Sequence, residues 1–208
     1  MLHAHKNFFF LFFLIVISFE IKSEQDPFIF IDSNAQKMAN VLTNESGLFE
    51  TDRLIYEDKI KEIFEPMIDF RRVAASVMGK KYYLMASKEQ RADFVLIFKD
   101  SLLDTYAETL AQWGDSTIST EFPQKKIDAN IKNIEVKQTL DTGNSLYPIS
   151  YKLKKTKDGW KIVNIIINGV NLGLTFRNQF QALAVSHNGN IELTLKNWVS
   201  DAGDAGIS

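Results

Sequence analysis

The spacing of apolar positions changes halfway along the chain. In the first half, apolar residues recur every three or four positions, which predicts helices over residues 31–42, 52–64, 70–78 and 87–113. Asp52 and Asp69 are placed to cap two of these helices, and Gly79 and Gly114 to end two of them. Ser87 and Gln90 match a capping box at the start of the longest helix. Its apolar stripe is Phe94, Phe98, Leu102, Tyr106, Leu110 and Trp113.

The second half of the chain has the period of strands. Ile134 and Val136 alternate with charged neighbours, and residues 149–153 alternate in the same way. Residues 160–167 form a more continuous apolar run, as expected for a central strand. Turn sequences at residues 141–144 and 157–159 separate these strands. Two further helices are predicted, over residues 171–185 and from residue 191 to about residue 199, with a turn at Asn188–Asn190 between them.

Helices followed by an antiparallel meander predict an α+β domain with helices packed on a curved sheet. No repeat or linker interrupts the chain, so we predict a single domain over residues 24–208. Residues 8–19 are apolar except for Ser18 and follow a basic start, which is typical of a signal peptide, and we predict cleavage after Ser23. The chain contains no cysteine and therefore no disulfide.

Composition and motifs argue against several classes of function. The net charge is −2, whereas nucleic-acid binding favours a basic face. We find no nucleophile elbow, phosphate-binding loop, dinucleotide fingerprint or zinc-protease motif. His187 is the one histidine after the apolar N-terminal segment, and its position beside a turn predicts a helix-end residue. The sequence therefore predicts no metal site and no cofactor.

Two blocks of sequence resemble the MlaC-type periplasmic phospholipid-binding proteins, also called the toluene-tolerance family. The first block is Asp69–Phe70, residues 78–83, residues 86–91 and the segment Leu102–Tyr106. The second is Lys157–Val163, Gly169–Val170 and Phe176–Phe180. The resemblance covers roughly residues 30 to 198. It implies a cone-shaped fold like that of nuclear transport factor two, with an apolar lipid pocket between sheet and helices.

The resemblance also implies a function and partners. It implies a periplasmic carrier that moves phospholipid between outer- and inner-membrane complexes and so maintains outer-membrane lipid asymmetry. The implied partners are an inner-membrane ABC transporter with an MCE-domain subunit and an outer-membrane lipoprotein–porin complex. Phospholipid is then cargo, no nucleic acid is bound, and the protein is predicted to be a monomer.

We predict that both layers of the fold line the lipid pocket. The helices are predicted to supply Phe70, Val73, Met78, Tyr83, Phe98, Leu102 and Tyr106. The sheet and the segment after it are predicted to supply Ile149, Tyr151, Ile165, Ile167, Val170 and Leu172. The choice of Ile165 and Ile167 assumes that odd-numbered residues of their strand face inward.

An enzyme is the alternative. Cone-shaped folds also host isomerases that pair an Asp base with a Tyr donor. Asp69 with Tyr83 or Tyr106 is the candidate pair, although Asp69 is also a natural helix cap.

Three asparagines depart from the family pattern, which usually has Asp, Glu and Ser where Asn164, Asn168 and Asn171 stand. The changes at Asn164 and Asn168 remove a negative charge and the change at Asn171 removes a compact hydroxyl, but all three keep hydrogen-bonding capacity.

Overall fold

The computed structural model describes residues 25–111 and 116–200. Helices α1–α5 come first, and strands β1–β5 are followed by α6 and α7. The helices are α1 Pro27–Asn44, α2 Ser46–Thr51, α3 Arg53–Phe64, α4 Phe70–Met85, α5 Lys88–Ala111, α6 Leu172–Ser186 and α7 Ile191–Lys196. The strands are β1 Thr117–Thr120, β2 Asn133–Asp141, β3 Leu146–Thr156, β4 Gly159–Ile167 and β5 Val170–Asn171.

The strands form one antiparallel sheet in chain order, from β1 at one edge to β5 at the other. Helices pack on this curved, open sheet, so the predicted α+β architecture is confirmed. The signal segment, the cleavage site, Trp113 and Gly114 lie outside the described residues.

The predicted helix starts are confirmed by their caps. The Asp52 carboxylate accepts a hydrogen bond from the Ile55 amide at 3.3 Å, and Asp69 accepts one from the Arg72 amide at 3.0 Å. Ser87 Oγ accepts from the Gln90 amide at 3.2 Å, while Gln90 Oε1 accepts from the Ser87 amide at 2.9 Å. These reciprocal bonds are the predicted capping box.

Gly79 bends α4 instead of ending it. Its φ of +67° and ψ of 164° interrupt the helix, which resumes and continues to Met85. The prediction that the helix ends at Met78 is therefore wrong. A β-carbon at position 79 would lie 3.1 Å from Arg177 Nε, so glycine suits both the backbone angle and the close contact with α6.

Besides α4, several other elements differ from the pattern-based prediction. Helix α1 begins at Pro27 because the Asp26 carboxylate caps it, accepting from the Phe28 amide at 2.8 Å. The short α2 and the edge strand β1 were not predicted. Each is only 6 or 4 residues long, which is too short to establish a period.

A β-bulge interrupts the pairing of β3 with β4. Lys152 pairs with Asn164 and Leu153 pairs with Ile162, so Val163 has no partner across the ladder. The extra residue reverses the alternation within β4. Even-numbered Trp160 and Ile162 therefore face inward before the bulge, and odd-numbered Ile165 and Ile167 face inward beyond it.

Aromatic rings fill the main core. Phe94 and Phe180 meet edge to face with centroids 4.9 Å apart, and Phe98 meets Phe176 at 5.7 Å. The predicted core stripe on α5 is thus confirmed at Phe94 and Phe98, which are both fully buried. A second apolar cluster, centred on Tyr56 and buried residues of α1, α3 and α5, lies apart from this core.

Candidate functional site

A cavity lies between the helices and the sheet. The atom-free space within its walls is about 1290 Å³, a figure that includes solvent at its open mouth. Its walls come from α1, α3, α4, α5 and α6 on one side and from β1 to β4 on the other. Of the described residues that line it, none carries a charge. The arrangement suits a large apolar ligand because such a surface offers no counter-ion and few polar contacts.

The structure brings nine of the thirteen predicted residues together on this cavity. They come from α4, α5 and the start of α6 and from the inward sides of β3 and β4. They are Val73, Phe98, Leu102, Tyr106, Ile149, Tyr151, Ile165, Ile167 and Leu172. Ile165 and Ile167 lie on the cavity because the bulge at Val163 turns odd-numbered residues inward beyond that point.

The other four predicted residues do not line the cavity. Phe70 and Met78 are buried in the main core, 7 % and 1 % exposed. Tyr83 is half-buried and carries the Arg91 guanidinium over its ring at 4.2 Å. Val170 lies on the edge strand β5. Helical spacing identified the buried face of α4 correctly, but it does not distinguish positions that fill the core from those that border a void.

The sequence analysis missed one wall of the cavity. Helix α1 supplies Ile31, Asn34, Ala35, Met38, Ala39 and Leu42. Further lining residues come from the end of α3, the 3-10 turn after it, β4 before the bulge, and α6. They are Ile63, Phe64, Met67, Ile162 and Phe176. The signal for α1 was present, since the stripe that predicted this helix is the same stripe that faces the cavity.

A small polar network borders the cavity where β4 faces α6. Asn164 Nδ2 donates to Asn171 Oδ1 at 3.0 Å, and Asn164 Oδ1 accepts from the Gly173 amide at 3.0 Å. Asn171 Oδ1 also accepts from the Leu174 amide at 3.1 Å and thereby caps α6. Asn164 and Gly173 line the cavity, so this network sets the position of α6 beside it.

Asn168, the third asparagine that departs from the family pattern, has a backbone role. Its φ is +49°, and it forms a tight turn with Gly169 between β4 and β5. Its amide donates to the Pro148 carbonyl at 2.8 Å. Asparagine adopts this left-handed conformation more readily than most residues, which explains its presence here.

Two tyrosines contribute the phenolic groups of the cavity wall. The Tyr106 hydroxyl is buried and has no hydrogen-bond partner among the described residues. Desolvation by burial raises the pKa of Tyr106 and of Tyr151 above the ordinary value of 10.0. Both therefore stay neutral at physiological pH, and the cavity wall remains free of charge.

The structure does not assemble the alternative acid–base pair. Asp69 caps α4 and forms an ion pair with Arg72 at 3.1 Å, and neither Asp69 nor Tyr83 lines the cavity. Tyr106 does line the cavity, but without the carboxylate that an isomerase of this kind requires. His187 follows the last turn of α6, where its amide donates to the Leu183 carbonyl at 3.2 Å.

The described residues also contain no cluster of three or more side chains able to hold a metal ion. Among the helices of the described ranges, none combines the length and apolarity that a membrane span requires.

Fold and cavity together define a class of protein, namely a helix-on-sheet domain that encloses an uncharged, apolar space. The model of the MlaC protein family matches residues 32–199. The chain belongs to this family.

Relatives and a solved structure agree with this assignment. The toluene tolerance protein ttg2D of Pseudomonas putida is 29 % identical over 182 residues, which cover 87 % of this chain and 83 % of that protein. The intermembrane phospholipid transport system binding protein MlaC of Haemophilus influenzae is 23 % identical over 187 residues, covering 89 % and 78 %. A phospholipid-binding protein from Ralstonia solanacearum, solved in complex with a phospholipid, shares the fold with a TM-score of 0.73 at 22 % identity and covers 88 % and 99 %.

Proposed function

We propose that this protein is a periplasmic phospholipid carrier that shuttles lipid between outer- and inner-membrane complexes and helps to maintain outer-membrane lipid asymmetry. The observation that carries the proposal is the large uncharged cavity between the two layers of the fold. The names of the relatives support it, since one is a binding protein of an intermembrane phospholipid transport system and the solved neighbour holds a phospholipid.

The proposed mechanism is enclosure of the acyl chains. Moving one 16-carbon chain out of water is worth on the order of 12 kcal/mol at about 0.8 kcal/mol per methylene group. Affinity therefore requires no ion pair with the lipid. The headgroup remains at the mouth in solvent, and the nine predicted residues on the cavity wall contact the chains.

The uncharged wall has a consequence for lipid selection. Because no described lining residue is charged, we propose that loading depends weakly on headgroup charge and on salt. Chain length and number should matter more, since each methylene group adds to the transfer free energy.

We propose partners at both membranes. They are an inner-membrane ABC transporter with an MCE-domain subunit and an outer-membrane lipoprotein–porin complex. The carrier itself is proposed to act as a monomer, exported by the signal peptide of residues 1–23. No cofactor other than the cargo lipid is proposed, and no nucleic acid is bound.

Native mass spectrometry of the purified mature protein tests the carrier function, with denaturing extraction and identification of any released lipid. We expect a discrete adduct in the mass range of diacyl phospholipids that is lost on denaturation. Absence of any lipid after incubation with phospholipid vesicles would contradict the proposal.

A further inference from the structure

Helices α4 and α6 pack side by side, and all of their charged residues are basic. Between them they carry Arg71, Arg72, Lys80, Lys81 and Arg177 and contain no Asp or Glu, although the whole chain has a net charge of −2. Of the ion pairs among the described residues, none involves Lys80, Lys81 or Arg177. The surface of these helices is therefore positive on an acidic protein.

Two close contacts show how α4 and α6 are oriented relative to each other. A β-carbon at Gly79 would be 3.1 Å from Arg177 Nε and 3.4 Å from Gln181 Nε2. A β-carbon at Gly189, just after α6, would be 3.6 Å from the terminal methyl group of Met85. The helices thus run in the same direction, with the second half of α4 beside α6 from Arg177 onwards.

Exposed apolar side chains lie in the second half of each helix, beyond Arg177 in α6 and beside Lys80 and Lys81 in α4. Leu84 is 65 % exposed, Met85 is 53 % exposed and Val185 is 66 % exposed. Val185 lies about two helical turns beyond Arg177, near the end of α6 that is followed by Gly189 beside Met85. We name this surface the basic-apolar patch and define it as Lys80, Lys81, Leu84, Met85, Arg177 and Val185.

The patch is separate from the cavity. The cavity is lined by Val73 of α4 and by Leu172 and Phe176 of α6, which belong to the first halves of these helices. None of the six patch residues lines the cavity. A role in holding the acyl chains therefore does not account for the patch.

We propose that the basic-apolar patch docks the protein on an anionic phospholipid surface. Basic side chains beside exposed aliphatic ones, without carboxylates, are the composition that binds the headgroup region of anionic membranes. An acidic protein partner fits less well, because protein interfaces favour aromatic side chains and arginine over lysine, whereas the patch has two lysines and no aromatic residue. The inference rests on the proposed function in one respect, namely that a lipid carrier comes into contact with membranes.

Flotation of the purified, lipid-loaded protein with vesicles tests the proposal. The vesicles are pure phosphatidylcholine, or phosphatidylcholine in which phosphatidylglycerol replaces about a third of the lipid. The test variant is Lys80→Glu/Lys81→Glu. Its matched control is Lys125→Glu/Lys126→Glu, which makes the same charge change at two exposed lysines in the loop between β1 and β2.

We expect the native protein and the control to float with the anionic vesicles and high salt to weaken this binding. We expect the test variant to bind about tenfold more weakly or worse. Leu84→Gln should reduce the binding that persists at high salt. Equal binding by the test and control variants, or no preference for anionic vesicles, would overturn the proposal. Patch-dependent binding to an acidic protein without vesicle binding would assign the patch to that partner instead.

The lipid content of each variant, measured by extraction and mass spectrometry, separates this proposal from the carrier function. An unchanged lipid content in a variant that no longer floats leaves the carrier function intact. A protein that floats but contains no lipid retains the docking surface and contradicts the carrier function.

Discussion

Asn164 donates a hydrogen bond from Nδ2 to Oδ1 of Asn171 at 3.0 Å across the border of the cavity. The family pattern usually has Asp and Ser at these two positions. Of that pair only the serine hydroxyl can donate, because an ionised carboxylate only accepts, so a bond between them would run in the opposite direction. The two departures from the family pattern therefore compensate each other and should be treated as one change.

Asn164→Asp alone should destabilise the protein by about 1–3 kcal/mol, because it sets a carboxylate oxygen against the Asn171 carbonyl oxygen. Asn171→Ser added to it should recover most of the loss, since serine can donate to the new carboxylate and still cap α6. Urea denaturation of the two single variants and the double variant measures the coupling. Strictly additive effects would show that the two side chains do not act as a pair.

Gly173 allows α6 to approach Asn164. A β-carbon at this position would lie 2.6 Å from Asn164 Oδ1, the atom that accepts from the Gly173 amide. We expect Gly173→Ala to cost about 1–3 kcal/mol in free energy of unfolding. Gly47→Ala is the matched control, because position 47 is also helical and a β-carbon there has no neighbour within 4 Å. The control should be neutral or stabilising by up to about 1 kcal/mol, and a similar loss in both would count against the contact.

Ile149 and Val170 were both predicted to contact lipid, and the structure now separates them. Ile149 lines the cavity, whereas Val170 is a half-buried residue of β5 that does not. Ile149→Glu should therefore reduce the lipid content at least tenfold, because acyl chains cannot solvate a carboxylate. Val170→Glu should retain lipid.

Mass spectrometry of extracted lipid, together with circular dichroism of both folded variants, tests this difference. Because Ile149 is only 5 % exposed, glutamate there could also prevent folding. Leu102→Glu is the second variant, since Leu102 lines the cavity from a half-buried position. Full lipid occupancy in folded Leu102→Glu would contradict the assignment of the cavity.

The starts of α3, α4 and α5 and the buried helix faces were predictable from the sequence, whereas the shape of the cavity was not. The caps at Asp52, Asp69 and Ser87 are local, so the residues that form them are adjacent in the sequence. Phe70 and Met78 belong to the same buried face of α4 as Val73, yet only Val73 borders the cavity. Which part of a buried face borders a cavity depends on how whole helices pack against each other, and the spacing of apolar residues within one helix does not predict this packing.

The strand β4 shows a second limit of sequence patterns. No single alternation describes it, because the unpaired Val163 divides it into two parts of opposite phase. The prediction of Ile165 and Ile167 on the inward face assumed one phase for the whole strand. It located both residues on the cavity and missed Ile162, which lines the cavity from the other side of the bulge. Only the pairing register with β3 reveals the change.

Alkaline pH should weaken the fold through its buried tyrosines, and Tyr56 allows this to be measured away from the cavity. Tyr56 is fully buried, and desolvation raises its pKa to about 12 from the ordinary value of 10.0. The unfolded chain ionises this phenol near pH 10 while the folded protein retains the proton. The stabilising contribution is therefore complete below about pH 10 and is lost as the pH rises towards about 12. The loss is at most about 1.4 kcal/mol per pH unit for this residue.

We expect the stability of Tyr56→Phe, measured by urea denaturation, to fall less steeply than that of the native protein between about pH 10 and pH 12, since lysine titration affects both proteins equally. Parallel stability curves would show that the Tyr56 phenol ionises equally readily in the folded and unfolded protein.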